Sequence, residues 1–386
     1  MKQPEILTLR DARLLFLHSQ LLTKNNLTNT TDDLLRIIET LGYLQIDTIS
    51  IVERSHNQIP WTRMQSFNRS MLDDLIAERK IFEYWSHAAA YLPIRDFRFS
   101  LLRKKKYSGK YKDWKNSNRK ILRYVYDRIK AEGPLQSRDF DDRKAKSNGW
   151  WDWKPSKDAL DFMFHEGRLM ISARKGFQKV YDLTERVLPA DVDMSFPTER
   201  EFYEHLILTS INSHGFAGDK EITYLRQHDK KTLKKAINDL LKKELIKKIN
   251  IEGMEDNFYT TKDKLELTGK IKTGNTIHIL SPFDNLIIQR KKVKSLFNFD
   301  YQIECYVPKD KRKFGYYCMP VLSGDKLIGK IDAKADRLTG TFIIKNIFLE
   351  EDVKLNERTY VNLEKKLTAL AKFTGCLTIS GFKLRK

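Results

Sequence analysis

Apolar positions along the chain fall into one arrangement three times: a stretch at helical spacing, a charged turn, then two short alternating runs joined by a tight turn. The first copy is residues 71–93, MLDDLIAERKIFEYWSHAAAYLP, where Met71, Leu72, Leu75 and Ile76 share a helix face ahead of the strand-like IFEYW. The second, residues 158–184, carries the same pattern with a tight turn expected at Lys175-Gly176. The third, residues 232–261, places Gly253 at a hairpin tip. A helix followed by a two-stranded hairpin is the second half of a winged helix. Two shorter helical patterns precede each copy, as a helix-turn-helix requires. They are residues 9–22 and 31–41, residues 121–133 and the short run from Ser137, and residues 199–215 and the run from Asp219. Thr31 or Asp32 is expected to cap the helix over 31–41, and Asp219 the run it opens.

Beyond about residue 275 the pattern changes to short apolar runs broken by Gly, Pro and Asp turns, with hairpin turns expected at Gly324-Asp325 and Thr339-Gly340. Residues 355–371 read as a closing helix. The predicted fold is α+β: three tandem winged-helix units followed by a C-terminal, mostly β, barrel-like domain. The expected boundaries are 1–98, 99–190 with a basic linker, 191–272, and 273–386.

Charge changes what this scaffold is for. The chain has 386 residues with 71 Lys+Arg against 51 Asp+Glu, a formal charge of +20. Such an excess draws a protein onto a polyanion, because each neutralised phosphate releases condensed counterions. Residues 103–120, RKKKYSGKYKDWKNSNRK, interleave the cations with Tyr107, Tyr111 and Trp114, a mixture suited to phosphate contact and stacking. The alternatives are a basic charge that serves solubility and a segment that is a solvated linker. No run approaches the ~20 apolar residues of a membrane span. The N-terminus carries acids among its apolar residues, which argues against a signal peptide. A cytoplasmic, nucleoid-associated location without a membrane partner is expected. Three cysteines, Cys305, Cys318 and Cys376, lack metal-ligand spacing, so neither a metal nor another cofactor is expected.

Winged helices most often serve regulators, so a non-catalytic regulator or architectural DNA-binding protein is the default reading. Three units with a β domain, no heptad seam and no effector pocket make an unusual regulator, and a monomer is expected. Familiar catalytic motifs are missing: no HExxH, GxxxxGK[ST] or GxSxG. Clustered carboxylates for a metal-dependent nuclease are missing as well. The distinctive stretch is residues 41–63, LGYLQIDTISIVERSHNQIPWTR, where Gln45 and Asp47 interrupt Leu44, Ile46 and Ile49. In extended backbone the two polar side chains share a face. A carboxylate and a carboxamide so placed can hold one water, the acid taking its proton and the amide fixing its orientation. The competing reading is that Asp47 merely caps a following helix through Ile49 and Ile51.

Residues 44–63, EYWSHAAAYLP at 83–93 and the long block at 280–337 resemble the YcaQ/AlkZ-type winged-helix DNA glycosylases. The resemblance spans nearly the whole chain. It implies three winged helices around a concave DNA surface, hydrolysis of the N-glycosidic bond of N7-alkylguanine, and unhooking of interstrand crosslinks in some members. The family's catalytic element is Gln-aliphatic-Gln or Gln-aliphatic-Asp; Gln45-Ile46-Asp47 looks like the second, YcaQ-like branch. Asp47 would then activate water and stabilise the sugar cation, and Gln45 would orient the water, in double-stranded DNA carrying alkylated or crosslinked bases. With no lysine in the motif, Schiff-base chemistry is not expected.

Further DNA contacts are expected from Arg54, His56, Trp61, Arg63 and His87, from Arg103, Lys104 and Lys105, and from Arg290 and Arg312 on the β domain, with Lys291, Lys292, Lys311 and Lys313 beside them. An interior position for Trp61 is the bland alternative. The Ser281-Pro282-Phe283-Asp284 run reads as a structural turn.

Overall fold

A computed structural model describes residues 4–23, 27–140 and 155–381. The chain divides into two compact units, Asn68–Phe202 and a second made from Met1–Phe67 together with Tyr203–Lys386. Residues 99–190, expected to form one winged-helix unit, lie wholly in the first; residues 1–98 fall on both sides of Phe67.

Three helices each run into a hairpin after a few residues: Ser70–Ala77 into Ile81–Trp85 and Ala89–Pro93, Pro155–Glu166 into Leu169–Lys175 and Gln178–Leu183, and Lys230–Lys242 into Lys247–Ile251 and Met254–Thr260. Their ends share one device. A residue with positive φ, Arg79 (+58°), Gly167 (+91°) or Glu244 (+55°), lets the next amide reach five residues back. These bonds are Lys80 to the Leu75 carbonyl (2.9 Å), Arg168 to Met163 (2.9 Å) and Leu245 to Leu240 (3.0 Å). Orphan carbonyls at each helix end are thereby satisfied and the chain is turned into its strand.

In the larger unit, Glu5–Leu7 pairs parallel with Lys247–Ile251, which is antiparallel to Met254–Thr260. A second sheet runs in the order Ile277–Ile279, Cys318–Ser323, Lys326–Asp336, Thr341–Leu349, Thr378–Ser380. Its pairs are antiparallel except the last, and register shifts at Val321/Leu322 and Asp332/Ala333 curl it. Gly324 and Asp325 form the expected turn between two of its strands. The closing helix covers Glu357–Phe373. A core of Leu15, Phe16, Phe216, Phe258, Leu280 and Leu286 joins residues from both ends of this unit's sequence.

Two expected caps differ. Thr30, one residue earlier than expected, caps Thr31–Leu41, because its hydroxyl accepts the Asp33 amide while Asp33 answers the Thr30 amide. Gly218, not Asp219, is the N-cap of the short helix Asp219–Ile222, with Glu221 accepting its amide at 2.8 Å. In the smaller unit, Phe82, Phe97, Val125, Leu160 and Met163 form a separate core. No helix among the described residues is long and apolar enough to cross a membrane.

Candidate active site

The segment carrying Gln45 and Asp47 leaves the short strand Leu44–Gln45, runs irregularly, and enters the helix Ser55–Arg63. Regular strand therefore ends at Gln45, and the alternation expected through Asp47 does not continue as a strand. Local bonds hold Asp47 instead. One carboxylate oxygen accepts the Ile49 amide at 2.6 Å, and the other accepts both the Ser55 amide at 2.6 Å and the Ser55 hydroxyl. That hydroxyl also lies 3.1 Å from the Gln45 carbonyl oxygen, so Ser55 bridges the two halves of the motif.

Ser55 opens a nine-residue helix whose N-cap, Arg54, makes no side-chain capping bond. Asp47 supplies the missing acceptor and sits where the helix dipole favours negative charge. The capping alternative is thus realised in part, on the helix beginning at Ser55 and not through Ile49 and Ile51. Gln45, Asp47 and Ser55 are all buried, yet Asp47 forms no ion pair among the described residues. Burial pushes its carboxyl above the usual aspartate range, against the pull of the Ser55 hydroxyl and amide, the Ile49 amide and the Arg54 charge. The three donors fill three of a carboxylate's roughly four acceptor sites, leaving capacity on the oxygen facing Ile49.

The loop is sewn to the C-terminal sheet. Ala335 donates its amide to the Ile51 carbonyl at 2.8 Å, and the Arg337 guanidinium donates to the Ser50 and Val52 carbonyls at 3.0 and 2.5 Å. Arg337 also lies 3.7 Å from Glu53, which accepts the Asn57 side-chain amide at 2.9 Å. Tyr306, 78% exposed, has its phenol pushed up by partial desolvation first and by Cys305 next, with the Asp47 charge contributing after them. The neighbouring Cys305 thiol is pushed up by burial too, with Asp47 contributing. Reading the sequence singled out none of Glu53, Ser55, Tyr306 or Arg337. A serine just ahead of a helical stretch was the only local signal among them.

Several expected contacts lie elsewhere. Arg63 is a correction: its guanidinium makes two 2.8 Å bonds to Asp284 and a 2.7 Å bond to the Gln20 carbonyl, with both ion-pair side chains fully out of solvent. It cannot clamp DNA from there. Asp284, in the predicted structural turn, is its partner. Trp61 is likewise interior, stacked 5.4 Å from the Phe373 ring with the Lys366 ammonium 4.2 Å over it. His56 is buried in the same helix, and Arg54 is half-buried at its start. Lys292 is buried as well, donating to the Phe216 carbonyl at 2.8 Å. Arg290 and Arg312 are half-buried; Arg312 donates to the Val307 carbonyl at 2.8 Å and lies over Tyr316.

In the smaller unit, His87 is half-buried between the strands Ile81–Trp85 and Ala89–Pro93. Arg103 is exposed, its guanidinium 5.3 Å from the Trp85 ring centre. Lys105 is exposed, whereas Lys104 is buried among aromatic rings, which corrects its expected place on an open basic surface.

Comparison with known proteins agrees with this architecture. The model of a family described as DNA glycosylase AlkZ-like matches residues 38–373. The structure of the Streptomyces sahachiroi DNA glycosylase AlkZ is similar with a TM-score of 0.63, covering 97% of this chain and 99% of that one. At 15% identity that likeness concerns the fold alone.

Proposed function

This chain belongs to the AlkZ-like DNA glycosylase family, and from that premise we propose that it hydrolyses the N-glycosidic bond of N7-alkylated purines in double-stranded DNA and unhooks interstrand crosslinks. The observation that carries the reading is Asp47: a buried carboxylate held by neutral donors at a helix N-terminus, with acceptor capacity left and no ion pair among the described residues. Such a group answers to a positive charge that develops beside it.

N7 alkylation already makes the purine cationic. When the C1′–N9 bond breaks, its electron pair neutralises the departing base, so no acid is needed to drive departure. Positive charge then accumulates on the sugar, where the Asp47 carboxylate stabilises it. A water held by the Gln45 carboxamide adds to C1′, its oxygen forming the new bond and its proton passing to Asp47. With no lysine in the motif, the enzyme is monofunctional and leaves an intact abasic strand. We assign it a metal-independent mechanism, a monomeric state, winged-helix DNA contacts from the three helix–hairpin segments, and a cytoplasmic, nucleoid-associated location. Arg54 and Arg103, half-buried and exposed respectively, fit as phosphate contacts.

Duplex DNA carrying N7-methylguanine, incubated with the protein and then treated with alkali, tests the proposal. Strand breaks are expected with the wild type and absent with Asp47→Asn and Gln45→Ala. Breaks that persist in Asp47→Asn assign Asp47 to helix capping alone.

A further inference from the structure

A cleft of about 620 Å³ in the Asn68–Phe202 unit plays no part in the chemistry above. Helices Phe97–Lys110 and Lys112–Ser117, the turn after Pro155–Glu166, and Met194 and Phe196 wall it. Lys104 lines it although only 5% exposed. Its ammonium lies 3.7 Å from the Phe97 ring centre and 4.8 Å from that of Tyr84, with no carboxylate paired to it among the described residues.

The acid lining the cleft is already committed: Glu166 meets Lys115 and Arg168, each at 2.6 Å. Lys104, Lys105 and Lys112 are left without a carboxylate partner among the described residues. A buried amine lacking a counter-charge is unfavourable, and cation–π contacts offset only part of the cost. Burial accordingly pushes Lys104 down to about 7. An anion entering the cleft supplies the missing charge where water screens it least. Part of the lining is apolar and open, with Met194 and Phe196 both about half exposed and the Lys105 ammonium 5.5 Å from the Phe196 ring centre. Such a wall suits the face of a base or sugar and gives nothing to a bare ion.

We propose that this cleft is a nucleotide subsite, taking a phosphate against Lys104, Lys105 and Lys112 and the adjoining nucleoside against Met194 and Phe196. The inference rests on the reading of the chain as an enzyme of DNA, and adds a place where one nucleotide of the strand is held.

The test is equilibrium binding of a fluorescein-labelled undamaged duplex to the full chain and to Lys104→Met, Lys112→Ala and Phe196→Ala, with free dGMP and inorganic phosphate as competitors. Undamaged DNA keeps the readout independent of excision, so a failure of the glycosylase chemistry leaves this measurement intact. Lys104→Met is expected to weaken binding about tenfold and to flatten the log–log salt dependence by about one. Phe196→Ala is expected to weaken it about threefold with the salt dependence unchanged.

Wild-type affinity falls as pH rises through 7, because the charged form of Lys104 binds the anion, and Lys104→Met removes that dependence. Glu166, Lys105, Lys112 and Lys115, which face the same cleft, and Tyr84, which lies against the Lys104 ammonium, are present in both proteins, so the difference between the profiles isolates Lys104. Competition by dGMP but not phosphate shows that a free nucleotide also enters; weakened duplex binding without dGMP competition assigns the subsite to the strand. Phosphate competing as well as dGMP overturns the nucleotide assignment. Unchanged duplex affinity in Lys104→Met overturns the site, and if that variant does not fold, unchanged affinity in both surface variants, Lys112→Ala and Phe196→Ala, does so.

Discussion

Two buried aspartates in the larger unit meet opposite surroundings. Asp284 is clasped by the Arg63 guanidinium through two parallel 2.8 Å bonds, and neither side chain touches solvent. Asp47 accepts from the Ile49 and Ser55 amides and the Ser55 hydroxyl, feels the Arg54 charge, and has no ion pair among the described residues. The first carboxylate has its counter-charge built in, so its role is confined to holding the fold; removing either partner strands a charge in the interior. The second has no salt-bridge partner among the described residues, which leaves it free to stabilise a positive charge that forms during a reaction. Arg63 stands sixteen positions from Asp47 in the same distinctive stretch, yet it serves the core. Charge and closeness in sequence do not distinguish these roles; the partner does.

The contrast breaks most visibly at Asp47 itself. Asp47→Asn is expected to lower the excision rate by about 10²–10⁴, the range for loss of a positioned base, while the melting temperature changes little. Arg63→Met is expected to invert that result, costing about 3–5 kcal/mol of stability in urea denaturation, because it leaves Asp284 buried and unpaired.

Ser55→Ala sharpens the comparison with a smaller effect. The Ser55 hydroxyl favours the ionised form of Asp47, so its removal raises a carboxyl that burial has already raised. On the proposed mechanism Asp47 works ionised, so the rate is expected to fall as pH drops through its folded value. The acid limb of the pH–rate profile should therefore move to higher pH in Ser55→Ala, with a rate loss of about tenfold at neutral pH for one charge-assisted bond. An unmoved acid limb assigns Ser55 to structure only.

Smallest are the helix ends, where the charges at stake are exposed and backbone conformation decides. Arg79→Gly and Glu244→Gly relieve left-handed backbone and should each stabilise by about 0.5–1 kcal/mol in thermal melts. Gly167→Ala should destabilise, since an added Cβ would lie 2.7 Å from the Lys104 side chain on a φ of +91°.

Local periodicity made the helix–hairpin repeats readable, along with the Gly324-Asp325 turn and the closing helix, because those features depend on neighbours along the chain. Arg63 was misplaced for the opposite reason, and the DNA-contact and interior readings of Trp61 could not be separated: the partners of these two residues, Asp284 and Phe373, lie more than two hundred residues away. Pairing of Glu5–Leu7 with Lys247–Ile251 is equally invisible to a local reading. Lys104 was legible and overlooked. Phe97, Ser100, Leu101 and Lys104 form the buried face of one helix at the spacing that such a face requires, but the run of cations around Lys104 suggested an open surface. The Gln45–Asp47 motif stood out as polar residues among apolar ones. Its support did not, because Ser55 reaches back eight positions and Arg337 arrives from the C-terminal sheet.

Single-turnover excision of N7-methylguanine at saturating protein, measured for Asp47→Asn beside the affinity of the same variant for undamaged duplex, tests the central claim most directly. The account predicts a rate at least a hundredfold below wild type with affinity unchanged, since a reactive carboxylate contributes to the step and not to the grip. An Asp47→Asn protein that binds DNA normally and excises at the wild-type rate would contradict it.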